Sequence, residues 1–322
     1  MRAIVNIAPG KLAWREMPTP EPRAGEVRVR TAACGICATD LEMIDGWART
    51  GFPSVPGHEW SGEVDAAGAG VDASLVGRRC VADNVLADGG EVGFEHPGGY
   101  AEHLVTEAKN VRVLPDGFPP ATAALIEPLA VGVRALRRLD VKDKRSALVL
   151  GDGPIGLIVL MLLKHHGVKD LCLVGGRPTR LALARELVGA RTLNYHDVGT
   201  DLAAEIRRAF DTAFANVIEA SGSAAAMQAA LDAADHRGKV LVLGDYRDAR
   251  ADFPWNTVLL RELEIVGSNA SADAWDEAVA LAVDGEIPLE RLVSHRIAAR
   301  EFARGIEIAR TSRDVVKIIL EW

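Results

Sequence analysis

Three short segments carry side chains whose types suit a single metal ion. Cys37 opens Cys37-Ala38-Thr39-Asp40, His58 in Gly57-His58-Glu59 follows 21 residues later, and Ile126-Glu127-Pro128 comes much further along. A thiolate, an imidazole and carboxylates together match the S, N and O donors that Zn²⁺ takes in a roughly tetrahedral shell. Structural zinc sites are usually richer in sulfur. A mixed, partly carboxylate set is typical of a site that keeps one position open for water or substrate. If the fold brings the three segments together, the chemistry is that of a catalytic zinc.

A second segment suits a dinucleotide. The apolar run Ala147-Leu148-Val149-Leu150 leads into Gly151-Asp152-Gly153-Pro154-Ile155-Gly156, and the apolar Leu157-Ile158-Val159-Leu160-Met161-Leu162-Leu163 follows. Strand, glycine-rich turn and helix come in the order that a pyrophosphate site requires. Gly151 and Gly153 allow the tight turn and close approach of the phosphates, and Gly156 lets helix and strand pack closely. Free N–H groups at the helix start that Pro154 opens, from Ile155 and Gly156 onward, then face the phosphates.

These segments and two others resemble the zinc-dependent medium-chain dehydrogenase/reductase superfamily, in its alcohol, sorbitol, threonine and glucose dehydrogenase neighbourhood. Ala24-Gly25-Glu26-Val27 is similar to the start of the catalytic domain there. Ala33-Cys34-Gly35-Ile36-Cys37-Ala38-Thr39-Asp40 and Val55-Pro56-Gly57-His58-Glu59-Trp60-Ser61-Gly62 are similar to the two metal motifs. Gly98-Gly99-Tyr100-Ala101-Glu102, Leu125-Ile126-Glu127-Pro128-Leu129-Ala130-Val131-Gly132 and the Gly151 loop follow in family order. The resemblance implies Cys37, His58 and Glu127 as zinc ligands, with Glu59 a ligand or near-ligand, and Asp40 orienting the ligand histidine through its other ring nitrogen. Glu127 before Pro128 also has an ordinary role as a helix-capping carboxylate. Cys34 and Cys37 would be a redox or zinc-ribbon pair only with a second such pair, which Cys80 and Cys172 do not supply.

The elements that must position these residues are legible. Up to about residue 125 the chain is rich in glycine, proline and β-branched residues, with period-2 alternation in Glu26-Val27-Arg28-Val29-Arg30. The resemblance implies an all-β body of the chaperonin-10-like kind. From Ser146 short apolar strands alternate with helices, which predicts a doubly wound parallel (Rossmann) sheet. Strands are expected at 147–150, 171–174, 192–194, 217–220, 240–243 and 264–266, and helices at 154–166, 178–187, 202–210, 224–234 and 274–283. The expected organisation is a catalytic zinc-binding domain over 1–125 and 270–322 and a dinucleotide-binding domain over 126–269, in an α/β two-domain fold.

Composition bounds the partners. The chain has 322 residues, 48% hydrophobic and 25% charged, with a formal charge of −8. That size supports two cores, and the balance is ordinary for a globular protein. The negative charge argues against nucleic acid and anionic membranes as partners. The longest apolar run is too short to span a bilayer, and four cysteines are no disulfide framework. A cytoplasmic enzyme follows as the expectation. Zinc-dependent relatives often carry a lobe with four close cysteines after the second metal motif. Here Cys80 is followed by 17 residues before Gly98, without another cysteine. One zinc per chain is therefore expected, and the tetrameric arrangement of some relatives is put in doubt. By analogy a homodimer would form by edge-to-edge pairing of the nucleotide-domain sheets.

Zinc lowers the pKa of a bound alcohol, so that hydride can pass to the nicotinamide ring. The resemblance assigns the proton relay to the Thr39 hydroxyl. Many relatives place a histidine three residues on, where this chain has Glu42, either a substrate or relay group or a solvated carboxylate. Glu127, in place of cysteine, is similar to the polyol, sugar and threonine branches more than to the simple-alcohol branch. Trp47, Arg49, Phe52 and Trp255 either line the cleft or serve ordinary packing. For the cofactor, NAD-selective enzymes place an acid at the end of the second strand of the sheet. Here Gly175-Gly176-Arg177-Pro178 stands there. Gly175 leaves room, and Arg177 offers paired donors to a 2′-phosphate. The segment and Tyr195 resemble those of NADP-dependent secondary-alcohol dehydrogenases, so NADP(H) is expected over NAD(H). A plain helix-start turn with a solvated arginine is the alternative. Leu243, Ser268 and Ala270 complete the expected cofactor-binding set. A zinc-independent quinone or enoyl reductase, or a non-catalytic binding protein on the same fold, is the alternative to the alcohol oxidoreductase.

Overall fold

The computed structural model describes residues 1–250 and 252–322. They divide into two compact units, Met1–Ala130 with Ala272–Trp322, and Val131–Ser271.

The first unit is built on a seven-stranded sheet. Its order is Val293–Ala298, Lys317–Glu321, Glu26–Ile36, Trp60–Ala67, Arg79–Ala82, Val111–Val113, with His103–Glu107 also paired to Glu26–Ile36. Only Val293–Ala298 and Lys317–Glu321 run parallel. In Glu26–Ile36 the buried Val27, Val29 and Thr31 alternate with Arg28 and Arg30, so one face looks inward. From Ala33 to Ile36 every residue is buried, because this end lies between two other strands. Ile36 pairs with Ile318, and Cys34 pairs with both Leu320 and Trp60. Ile4, Val29, Trp60, Tyr100, Leu104, Ile318 and Leu320 share one core. Three strand ends therefore meet. Cys37 follows Ile36, His58 and Glu59 precede Trp60, and Lys317 begins its strand one residue before Ile318.

The second unit holds six parallel strands in the order Arg191–Asn194, Asp170–Gly175, Ser146–Leu150, Phe214–Glu219, Ala234–Val242, Glu264–Gly267. Numbered within the unit, this is 3-2-1-4-5-6, the doubly wound order whose switch point lies between the first and fourth strands. All five residues of Ser146–Leu150 are buried, as a central parallel strand requires. Helix Pro154–His165 is buried over Gly156 to Leu163, apolar on all sides. This is the two-part α/β architecture expected. Two elements differ. The fifth strand begins at Ala234, six residues early, because Ala234 pairs with Phe214 before a register shift brings Lys239 opposite Asn216. Helix Trp255–Arg261 was not anticipated, since its apolar residues Trp255, Leu259 and Leu260 face solvent. Among the described residues no helix is long and apolar enough to cross a membrane.

Candidate metal centre and cofactor loops

Cys37, His58 and Glu59 come together with one ligand atom each within 4.8 Å of the others. Cys37 is the residue preceding helix Ala38–Asp45, and the Asp40 carboxylate folds back to accept its N–H at 2.8 Å. The other Asp40 oxygen accepts the Gly57 N–H at 3.2 Å. Asp40 is wholly buried and thus ties the two ligand segments together. Its Oδ1 also lies 3.4 Å from His58 Nδ1, close enough for attraction but without hydrogen-bond geometry. That contact leaves the other imidazole nitrogen for a metal. Burial disfavours the charged imidazole, but Asp40 and Cys37 outweigh it and raise its pKa well above the ordinary histidine range.

Glu59, expected as a ligand or near-ligand, belongs to this cluster and is also held by Lys317. Lys317 Nζ donates to both of its carboxylate oxygens, at 2.6 and 2.7 Å, and both residues are buried. The carboxylate stands directly over Gly35, where a Cβ would overlap Oε2, which is why this end of strand Glu26–Ile36 carries glycine. Lys317 escaped the sequence reading, although a lone lysine in Val315-Val316-Lys317-Ile318-Ile319-Leu320 is a signal that its charge must be met inside. Glu127 sits in the first turn of helix Ile126–Leu139 and is not a member of the three-residue cluster. Burial pushes its carboxyl up to about 7, with His58 and Lys317 opposing and Glu59 and Glu91 reinforcing the rise. Thr39 Oγ1 is 3.7 Å from Cys37 Sγ. Glu42 lies three residues on in the same helix, half-buried and outside the cluster. A thiol, an imidazole and carboxylates crowded together, with Lys317 as a buried cation among them, suit a divalent cation, and the mixed donors suit zinc.

In the second unit, Gly153 caps helix Pro154–His165 without a side-chain hydrogen bond, so the amides of Ile155 and Gly156 open the helix uncovered by a side chain. A Cβ on Gly156 would overlap the Gly151 carbonyl, while Gly153 has open space around it. The second loop differs from expectation. Gly175 does not leave a free space. Asp152 reaches across from the first loop, and a Cβ on Gly175 would lie 2.5 Å from its carboxylate. Asp152 accepts the N–H groups of Gly176 and Arg177 at 3.0 and 2.8 Å. Arg180, buried, also approaches it at 3.8 Å, and burial followed by repulsion from Arg177 lowers its pKa to about 10. Sequence reasoning missed Asp152 and Arg180, which only the approach of the two loops reveals. Tyr195 packs over Gly176. Further along the sheet, Leu243 donates its N–H to the Glu219 carbonyl, Ser268 Oγ is buried without a partner, and Ala270 has φ +58.

Comparison with known proteins fits both units. Residues 23–116 match the family described as alcohol dehydrogenase GroES-like domain, and residues 154–284 match zinc-binding dehydrogenase. An L-threonine 3-dehydrogenase from Chelativorans sp. is 30% identical, covering 100% of this chain and 99% of that one. An alcohol dehydrogenase from Escherichia coli CFT073, solved with NADH, superposes with a TM-score of 0.93 at 26% identity, over 100% and 99% of the two chains. A zinc-binding dehydrogenase from Sinorhizobium meliloti 1021, bound to NADP, gives 0.92 at 25% identity over the same shares. The chain belongs to the zinc-dependent medium-chain dehydrogenase/reductase superfamily and is an oxidoreductase of the alcohol dehydrogenase class.

Proposed function

We propose that this protein is a zinc-dependent oxidoreductase that moves hydride between the carbinol carbon of an alcohol and NADP(H), with polyols, sugars or amino alcohols ahead of simple alcohols. The observation that carries this is the Cys37–His58–Glu59 cluster. Cys37 and His58 would hold the zinc, with Glu59, which Lys317 also engages, and Glu127 as the carboxylates offered to it directly or through water. Zinc bound there supplies Lewis acidity that lowers the pKa of a substrate hydroxyl. Asp40 keeps the two ligand segments in register. The Thr39 hydroxyl, beside the cysteine sulfur, takes up the substrate proton, and Glu42 serves as relay or substrate-binding group. Catalysis belongs to the first unit and cofactor binding to the second. The substrate class rests on Glu127 standing where simple-alcohol enzymes carry cysteine, and on a threonine-oxidising relative. The unpaired edge of the parallel sheet supports a homodimer, and four free cysteines accord with the cytoplasm.

For the cofactor, the support for NADP(H) is Arg177 beside Arg180, with no acid at the end of the second strand. Asp152 favours a second reading, NAD(H), because its carboxylate reaches the place where the strand-end acid of NAD enzymes would stand. Gly175→Asp cannot separate them, since it collides with Asp152. The test is kcat/KM for both cofactors on a panel of polyols, sugars, amino alcohols and primary alcohols, with Arg177→Ser and Asp152→Asn. A charge-assisted contact is worth roughly 1.5–3 kcal/mol, so NADP(H) should lead by about tenfold or more and lose that lead in Arg177→Ser. A preference for NAD(H) that Arg177→Ser leaves untouched and Asp152→Asn erodes establishes the second reading instead.

A further inference from the structure

The segment 83–98, the short counterpart of the cysteine-rich lobe, contains no cysteine and lies against His58. Asp88 closes its tip, accepting the Gly90 N–H at 2.9 Å and meeting His96 Nε2 at 2.9 Å. Glu95 folds back to accept the Glu91 N–H at 3.1 Å. The segment touches the histidine at three points. Asn84 Nδ2 donates to the His58 carbonyl at 2.8 Å. Gly93, at φ +92, packs so closely that a Cβ would lie 2.6 Å from the His58 nitrogen. The Phe94 ring stacks on the imidazole with centroids 4.8 Å apart.

Arg49 reaches this segment from a different loop. It donates to Glu95 at 2.6 and 3.0 Å and to Glu91 at 2.8 Å. The same guanidinium lies 4.5 Å from the Phe94 centroid and 5.6 Å from that of Trp47. Its fork of donors is thus directed into two carboxylates and its flat face onto a ring, a combination that lysine cannot reproduce. We propose that segment 83–98 is a metal-free clasp on the metal centre, and that Arg49 is the positioning residue that locks it, holding Phe94 against His58 so that the imidazole is oriented before a metal arrives. The second half of this rests on His58 being a zinc ligand; the clasp itself does not.

The test combines amide hydrogen exchange on the metal-free protein with zinc competition titration of the whole chain, for wild type, Arg49→Met and Arg49→Lys. Removing groups that orient a ligand commonly costs about 10–100-fold in metal affinity. One layer further out, Arg49→Met should weaken zinc about 3–10-fold and speed exchange over 84–96 by about tenfold. Arg49→Lys should recover part of both. The cobalt-substituted protein should show a shifted visible band in Arg49→Met and a smaller shift in Arg49→Lys. Should Arg49→Met fail to fold, Glu95→Gln, which leaves the Glu91 contact, should move both readouts the same way by less. Unchanged exchange in a folded variant overturns the clasp. Faster exchange with unchanged zinc affinity overturns the positioning role. A wild type that binds no zinc removes the functional reading, and the exchange arm then decides the clasp alone.

Discussion

Lys317 determines what Glu59 can do. Two opposite charges, both almost fully buried, are bonded at 2.6 and 2.7 Å next to a thiol and an imidazole. Removing one partner of such a pair leaves the other uncompensated, at a typical cost of about 3–5 kcal/mol. Lys317→Met should lose about that much in denaturant unfolding, and adding Glu59→Gln should return a good part of it. Simple additivity of the two losses would show that the pair is not coupled. A second prediction concerns Cys80, which burial pushes up to about 12. The unfolded thiol titrates near the ordinary value of 9.0, so between these values the unfolded chain has released a proton that the folded chain retains. Stability is whole below about pH 9 and falls by about 1.4 kcal/mol per pH unit above it through this thiol. Unfolding midpoints from pH 8 to 10.5 should show the decline, flattened in Cys80→Ala. An equal slope in that variant would assign the loss to other groups.

At the scale of elements, the edge strand Glu264–Gly267 pairs on one side only among the described residues. Ile265 in it and Trp255, Leu259 and Leu260 in the preceding helix are exposed, the helix residues by 70–73%. An open strand edge beside exposed apolar side chains is a surface built for covering, and a second copy meeting it edge to edge covers both. Leu259→Glu with Leu260→Glu should convert the proposed dimer to monomer in sedimentation. A wild type that is monomeric at micromolar concentration removes the proposal. How much of this could be read from the chain depended on the range of the interactions. The parallel strands were legible because Ala147-Leu148-Val149-Leu150 and its counterparts are apolar runs bounded by turns. Cys37 and His58 were legible because their chemistry lies in their residue types, and Asp40 through the family resemblance alone. Helix Trp255–Arg261 was not, since its apolar face has no core partner. The Glu59–Lys317 pair spans 258 residues and Asp152 acts on a loop 24 residues away, so neither is visible to local pattern.

For the whole molecule, the division of labour is between a unit whose strand ends gather a thiol, an imidazole and a carboxylate and a unit whose parallel sheet opens onto bare helix amides. The formal charge of −8 favours small substrates over polyanions. On the function proposed above, the alcohol is activated at a single metal held by the first unit. To test this, the protein is stripped with a chelator, its fold confirmed by circular dichroism, and zinc titrated back while nicotinamide absorbance is followed with an alcohol that the native protein oxidises. Activity should vanish on stripping and return in full at about one zinc per chain, and Cys37→Ala should fold yet recover nothing. Undiminished turnover in the metal-free protein, or a requirement for two tightly held zinc ions per chain, would contradict it.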